Sequence, residues 1–146
     1  MKKYNEEKGI ALHSCNEEDM EFIHNKLIKH NLNYITDYED FGYNIKDENG
    51  DIIAGIVASR ENQCLTIDYL WVDESYRGSG FGSKLLNFIE SIAEKKGVVT
   101  IYLNTFGFQA PEFYLKMGYE NFGVLENCIN GYSQYFFRKM LNRENR

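Results

Sequence analysis

Between Tyr76 and Ser83 the chain reads Tyr-Arg-Gly-Ser-Gly-Phe-Gly-Ser, after a run of strand-forming residues and before a run with helical period. Glycines this close together let successive backbone N–H groups converge with no Cβ in the way. A helix beginning there adds its unpaired first-turn amides and the positive end of its dipole. Such a bend holds a phosphate or pyrophosphate. Arg77 and Lys84 add positive charge beside it. Two nucleotide loops do not fit. Gly78-x-Gly80-x-Gly82 has the wrong last spacing for a dinucleotide-binding Gly-x-Gly-x-x-Gly, and the Gly-Lys-Ser/Thr ending of a triphosphatase loop is missing.

The elements that must position the bend follow from hydrophobic period. Cys64 to Val72 alternates as a strand, which predicts one face of Leu65, Ile67, Tyr69 and Trp71 and another of Thr66, Asp68, Leu70 and Val72. From Phe81 the period becomes helical, through Leu85, Leu86, Phe88, Ile89, Ile92 and Ala93 to Lys96, and it stops at Gly97. Val98 to Phe106 is again strand-like, so strand, helix and strand form a right-handed crossover with two parallel strands. Upstream, Phe41 to Lys46 and Asp51 to Arg60 flank Asn49-Gly50 as a hairpin. Ser14 with Glu17 reads as a capping box for a helix from Glu17 to His30, and a weak strand is expected near Ile10 to His13. Downstream come a short helix from Ala110 to Met117 and strands near Tyr119 to Leu125 and Tyr132 to Met140. The whole reads as a mixed α/β sheet in one unit, with a polar, loose tail after Leu141.

The chain has 146 residues, with 16 Lys and Arg against 22 Asp and Glu, a net charge of −6. That balance argues against a nucleic-acid or anionic-membrane surface, and suits either a cationic partner or plain solubility. Cys15, Cys64 and Cys128 are odd in number and far apart, which fits reduced, partly buried thiols and not a disulfide framework or a metal knuckle. His13, His24 and His30 share no metal-ligating spacing. Met1 to Gly9 has no apolar run, and no stretch reaches the ~18 apolar residues of a membrane span, so the expected location is cytoplasmic.

Arg77-x-x-Gly80-x-Gly82 after Leu70-x-Val72, followed by Ala110-Pro-Glu-Phe113-Tyr114-Leu-Lys-Met-Gly118-Tyr119, resembles the Gcn5-related N-acetyltransferase family. The likeness covers about Ile52 to Leu141, and the first fifty residues show only a compatible element order. It implies a single domain over residues 1–146, built as a mixed, mostly antiparallel twisted sheet of about six to seven strands. A central parallel pair would splay at the cofactor site, with helices on the flanks. Acetyl-CoA would be the co-substrate, no metal would be needed, and a homodimer is a family habit. Leu70, Trp71 and Val72 would pair with the pantetheine arm. Gly78, Ser79, Gly80, Phe81, Gly82 and Ser83 would cradle the pyrophosphate, with Arg77 opening the loop, and a β-branched residue at Gly80 would block it at little cost to folding. Tyr114 would lie near the thioester sulfur. Where many relatives carry Asn this chain has Gly107, with Asn104, Thr105 and Gln109 as the nearby polar candidates, and Gln109 of the segment Phe108-Gln109-Ala110-Pro111 would be the cofactor contact.

Acyl transfer to an amine needs a neutral nucleophile, alignment and a stabilised oxyanion. The Val72 N–H is the oxyanion donor expected. Tyr114, as a phenol of pKa near 10, can protonate a departing thiolate, or else only pack against the cofactor. Asp68 is the candidate base for an ammonium, with a structural strand carboxylate as the rival reading. Tyr34, Tyr38, Phe41 and Tyr43, with Asp37, Glu39 and Asp40, would line the acceptor cleft beside the first helix, with a core or loop-packing role for the aromatics as the equal rival. The leading function is acetylation of a primary amine on a small, cationic molecule. A non-catalytic acyl-CoA sensor and a protein or peptide N-acetyltransferase are the alternatives, and a tRNA-directed toxin lacks the basic patch it would need.

Overall fold

The computed structural model describes residues 9–141, which fall into two compact units divided between Thr36 and Asp37. The expected loose tail after Leu141 lies outside them. In the first unit residues 9–16 are irregular and lead into helix α1, Glu17–Asn31. Its cap is Asn16, not Ser14. Asn16 Oδ1 accepts from the Asp19 N–H at 2.8 Å, and Asp19 Oδ2 accepts from the Asn16 N–H at 3.1 Å. The box sits two residues later than expected because Asp serves at the third helical position as Glu does. No strand forms near Ile10–His13, since every ladder of the sheet joins strands of the second unit.

The second unit is a six-stranded sheet: β1 (Tyr38–Lys46), β2 (Ile52–Glu61), β3 (Cys64–Val72), β4 (Thr100–Phe106), β5 (Glu120–Ile129) and β6 (Tyr132–Met140), in the order β1-β2-β3-β4-β6-β5. Helix α2, Phe81–Lys95, crosses between β3 and β4, and α3, Pro111–Lys116, between β4 and β5. All neighbours are antiparallel except β3 and β4. Leu85, Leu86, Ile89 and Ala93 on one stripe of α2 join Ile56, Ala58, Leu65, Ile101, Leu103 and Phe137 of the sheet in one buried core. The β1–β2 hairpin turns at Asp47–Asp51 as expected, with the Asp47 carboxylate accepting from the N–H groups of Asn49 and Asp51.

Two strand features depart from simple alternation. In β3, Ile67 faces Ala58 while Tyr69 faces Val57, so Asp68 is an extra residue with no partner in β2. This β-bulge flips the phase of everything after it. Leu70 and Val72 pack on the core, while Tyr69 and Trp71 are 72% and 47% exposed, the reverse of the expected faces. At the other edge, β5 runs on to Ile129 and turns through Asn130 and Gly131, both at positive φ.

Candidate active site

The parallel pairing of β3 and β4 lasts only three steps, Cys64–Thr100, Leu65–Ile101 and Thr66–Tyr102. Beyond Thr66 the strands part, and the gap is a cleft of about 760 Å³. Its β3 wall has a defined hydrogen-bonding phase. The Asp73 N–H donates to the Ile53 carbonyl at 2.8 Å. Main-chain groups alternate sides along a strand, so Trp71 also turns its N–H and C=O to β2, and those of Leu70 and Val72 face the gap. The Val72 carbonyl confirms the direction, since it accepts from Arg77 Nε at 3.1 Å. Arg77 therefore fastens the bend to the end of β3 as well as carrying charge.

After a single helical turn at Glu74–Tyr76, the bend enters α2. Gly78 and Gly80 have φ of +79° and +85°, a region that penalises any side chain, and Gly80 is the N-cap of α2. The expectation that a bulky residue at Gly80 spares the fold is thus corrected, because the cost is in the backbone itself. Gly82 serves differently. A Cβ there would stand 3.4 Å from the Phe113 ring and 3.8 Å from Val72 Cγ2, so its absence lets α2 approach α3 and β3 closely. No side chain caps α2 and no acidic residue occupies its first turn. The first intrahelical bond is Lys84 N–H to the Gly80 carbonyl, which leaves the Phe81, Gly82 and Ser83 amides without helical acceptors.

Tyr114 lies on α3, 9% exposed, with its ring 5.1 Å from Phe113, 6.0 Å from Tyr119 and 5.8 Å from Phe137. Burial pushes its pKa up to about 12. Among the described residues no hydrogen bond holds its hydroxyl, so the phenol is free to donate into the cleft that it lines. Behind it a polar staple sets the helix. Tyr119 Oη donates to Glu90 Oε1 at 3.0 Å, and Lys139 Nζ donates to Glu90 and to the Met117 carbonyl. Burial first, and then the Glu90 charge, raises the Tyr119 pKa far above its ordinary value. Gln109 folds back on β4. Its Oε1 accepts from the Phe106 N–H at 2.8 Å and from Thr105 Oγ1 at 3.0 Å, closing the strand end into a turn.

The expected positions converge. Leu70, Trp71, Val72, Arg77, Gly78, Gly80, Phe81, Gly82, Ser83, Gln109, Tyr114 and Asp68 all line this cleft, whereas Ser79 does not. Ser79 sits between two left-handed glycines, and its place in the motif does not bring it to the wall. Tyr76, Phe108 and Phe113 line it too and were not anticipated as contacts; all three adjoin residues of the two motifs.

Of the residues expected at the acceptor cleft, four in the second unit have other engagements. Phe41 is buried in the core. Tyr43 stacks edge-on against Phe88 of α2 at 4.8 Å. Asp37 accepts from both terminal nitrogens of buried Arg60 at 2.8 and 2.9 Å, and Glu39 pairs with Lys96 at 2.9 Å and Arg60 at 3.6 Å. The Arg60 hydrogen bonds hold the Asp37 carboxyl below its usual range, and the Lys96 bond does the same for Glu39. Asp37, with Glu39 at longer range, neutralises the buried Arg60 guanidinium, and Glu39 also pairs with Lys96. Cys64 is half-buried, with its thiol pushed up by burial and then by Glu61, which makes it a poor nucleophile, while Cys15 and Cys128 are exposed and not buried as expected. Among the described residues no His, Cys, Asp and Glu cluster could hold a metal, and no helix is long and apolar enough to cross a membrane.

Comparison with known proteins places this geometry. The acetyltransferase (GNAT) family model matches residues 9–119. Blasticidin-S acetyltransferase from Streptomyces morookaense is 41% identical over 95 residues, covering 64% of this chain and 70% of that protein. The crystal structure of an acetyltransferase from Bacillus cereus ATCC 14579 superposes with a TM-score of 0.83 at 42% identity, over 90% of this chain and 98% of that one. An aminoglycoside 6'-N-acetyltransferase complexed with coenzyme A shares the fold at 21% identity and a TM-score of 0.64, over 78% and 80% of the two chains.

Proposed function

The chain belongs to the acetyltransferase (GNAT) family, and from that premise we propose that it moves an acetyl group from acetyl-CoA to the primary amine of a small, cationic acceptor, by direct attack in a ternary complex. One observation carries the reading: the open end of the β3/β4 pair, the uncapped start of α2, and residues Asp68 and Tyr114 border one cleft. Acetyl-CoA supplies an activated acyl carbon, a thiolate leaving group and a diphosphate handle. The amides of Phe81, Gly82 and Ser83 hold the handle at the positive end of α2. Arg77, tied by Nε to Val72, keeps its terminal nitrogens for charge beside it. The gap-facing groups of Leu70 and Val72 align the pantetheine arm as a missing β-strand would, and the Val72 N–H is directed to the thioester oxygen. Asp68 takes the proton of the arriving ammonium; as the C–S bond breaks, Tyr114, kept protonated by burial, gives its own to the sulfur, and the second proton shed by the new amide nitrogen returns to the phenol. No covalent intermediate on the chain is required.

The small-molecule acceptor is favoured by the similarity to the blasticidin-S acetyltransferase, whose name gives blasticidin S as its substrate. The test is an amine panel, blasticidin S included, with acetyl-CoA and a thiol reagent for released coenzyme A. Thiol release with small cationic amines is expected. Turnover of peptide N-termini alone moves the assignment to a protein-modifying enzyme, and acetyl-CoA binding with no turnover makes it a sensor.

A further inference from the structure

The side chains of Tyr69 and Trp71 border a second hollow besides the cleft. It is a recess of about 450 Å³ on the sheet face, reaching from β3 across β2 to β1. Strand register builds it. Gly42, Val57 and Tyr69 form one cross-strand row, and Asn44, Gly55 and Trp71 form the next on the same face. The Asp68 bulge puts both aromatics there, since without it they would face the core.

Gly42 is the informative residue. It lies inside a strand, where glycine weakens the ladder, with neither a positive φ nor a turn to justify it. A Cβ added there would meet nothing within 4 Å, so close packing does not require it either. What a side chain at Gly42 would do is fill the recess. Gly55 differs, because a Cβ there would press to 3.4 Å of the Tyr43 carbonyl oxygen.

We propose that this recess is the acceptor's specificity subsite, taking a flat, unsaturated ring on the Tyr69–Trp71 shelf while the acceptor's amine reaches Asp68 in the adjoining cleft. The inference rests on the acetyl-transfer reading. Adjacency carries it: Tyr69 and Trp71 line both hollows, so the shelf they form lies next to the splayed strands. Aromatic faces favour a planar ring over an open chain, which offers no face to stack.

Trp71 is the chain's one tryptophan, so its emission reports this site directly. The full chain, saturated with coenzyme A, is titrated with histamine, a flat-ring amine, and with 1,4-diaminobutane, an open-chain one. A saturable emission change is expected with histamine at a midpoint about tenfold lower than for 1,4-diaminobutane. Gly42→Val should raise the histamine midpoint about tenfold while keeping or raising the melting temperature, as a β-branched residue suits a strand. Tyr69→Ala, at an exposed side chain, should weaken histamine in the same way. Equal midpoints for the two amines, absence of any response included, overturn the inference, as does an unchanged midpoint in both variants. Calorimetry with coenzyme A separates the two failures. Binding by parent and variants without ring preference removes the recess alone, whereas a parent that does not bind coenzyme A removes the acetyl-transfer reading and the recess with it.

Discussion

Replacing Ser83 by aspartate places a carboxylate at the third residue of α2, where the helix start has no side-chain cap and no acidic residue. On its own that end of a helix welcomes negative charge by about 0.3–1 kcal/mol. For a domain of this size the free protein should therefore melt about 1–4 °C higher. The same charge would lie beside the amides assigned to the diphosphate. Two like-charge pairs at about 4 Å cost about 1 kcal/mol each even with the dielectric of water, and more in a partly dry cleft. Acetyl-CoA affinity should fall by at least about 30-fold, and the loss should shrink as salt is added. Thermal unfolding without ligand and calorimetric titration at two ionic strengths read both numbers on one sample, with Ser83→Asn as the neutral control. Opposite signs for stability and affinity are the signature of a helix start left bare for an anion. A Ser83→Asp protein that binds acetyl-CoA as tightly as the Asn control would refute the reasoning, whatever its melting temperature.

The Gln109 side chain is expected to matter first for structure. Gln109→Ala leaves the buried Thr105 hydroxyl and the Phe106 N–H without their acceptor, which should cost about 1–3 kcal/mol in urea denaturation. Gln109→Glu, which keeps an acceptor oxygen, should recover most of it. Tyr114→Phe should lower turnover more than acetyl-CoA affinity, and equal kinetics across pH 6 to 9 would sink the acid role. It should also change alkaline stability. Burial holds the Tyr114 pKa at about 12, above the roughly 10 of an unfolded tyrosine, so the folded state resists deprotonation. The stabilisation is present below pH 10 and lost as pH rises from about 10 to 12, and Tyr114→Phe should make that decline shallower. A parallel decline in both proteins, followed by circular dichroism, would contradict this.

The bend at Arg77 to Ser83 was legible because its physics is local: glycines, a helix start and two cations lie within eight residues. The crossover and both flanking helices were legible for the same reason, each carried by its own period. Asp68 as a bulge was not, because a bulge exists only against the partner strand, and the β2 sequence does not announce that Val57 and Ala58 straddle it. One extra residue then inverted the expected faces of Tyr69 and Trp71 and created the recess. The roles of Asp37 and Glu39 were hidden in another way. Arg60, more than twenty residues downstream, reaches back to claim them, and only the β1–β2 register brings it there. The Asn130-Gly131 turn, by contrast, was readable and missed, since that dipeptide between two strand-like runs is a hairpin signal.

Amide resonances of ¹⁵N-labelled protein, followed while acetyl-CoA is added, address the central claim most directly. The account predicts that the N–H signals of Phe81, Gly82 and Ser83 move downfield as they take up diphosphate oxygens, together with those of Leu70 and Val72 on the gap side of β3. Trp71, whose N–H is already committed to β2, should move less. Saturable shifts that bypass Phe81, Gly82 and Ser83 and gather elsewhere on the sheet would contradict it.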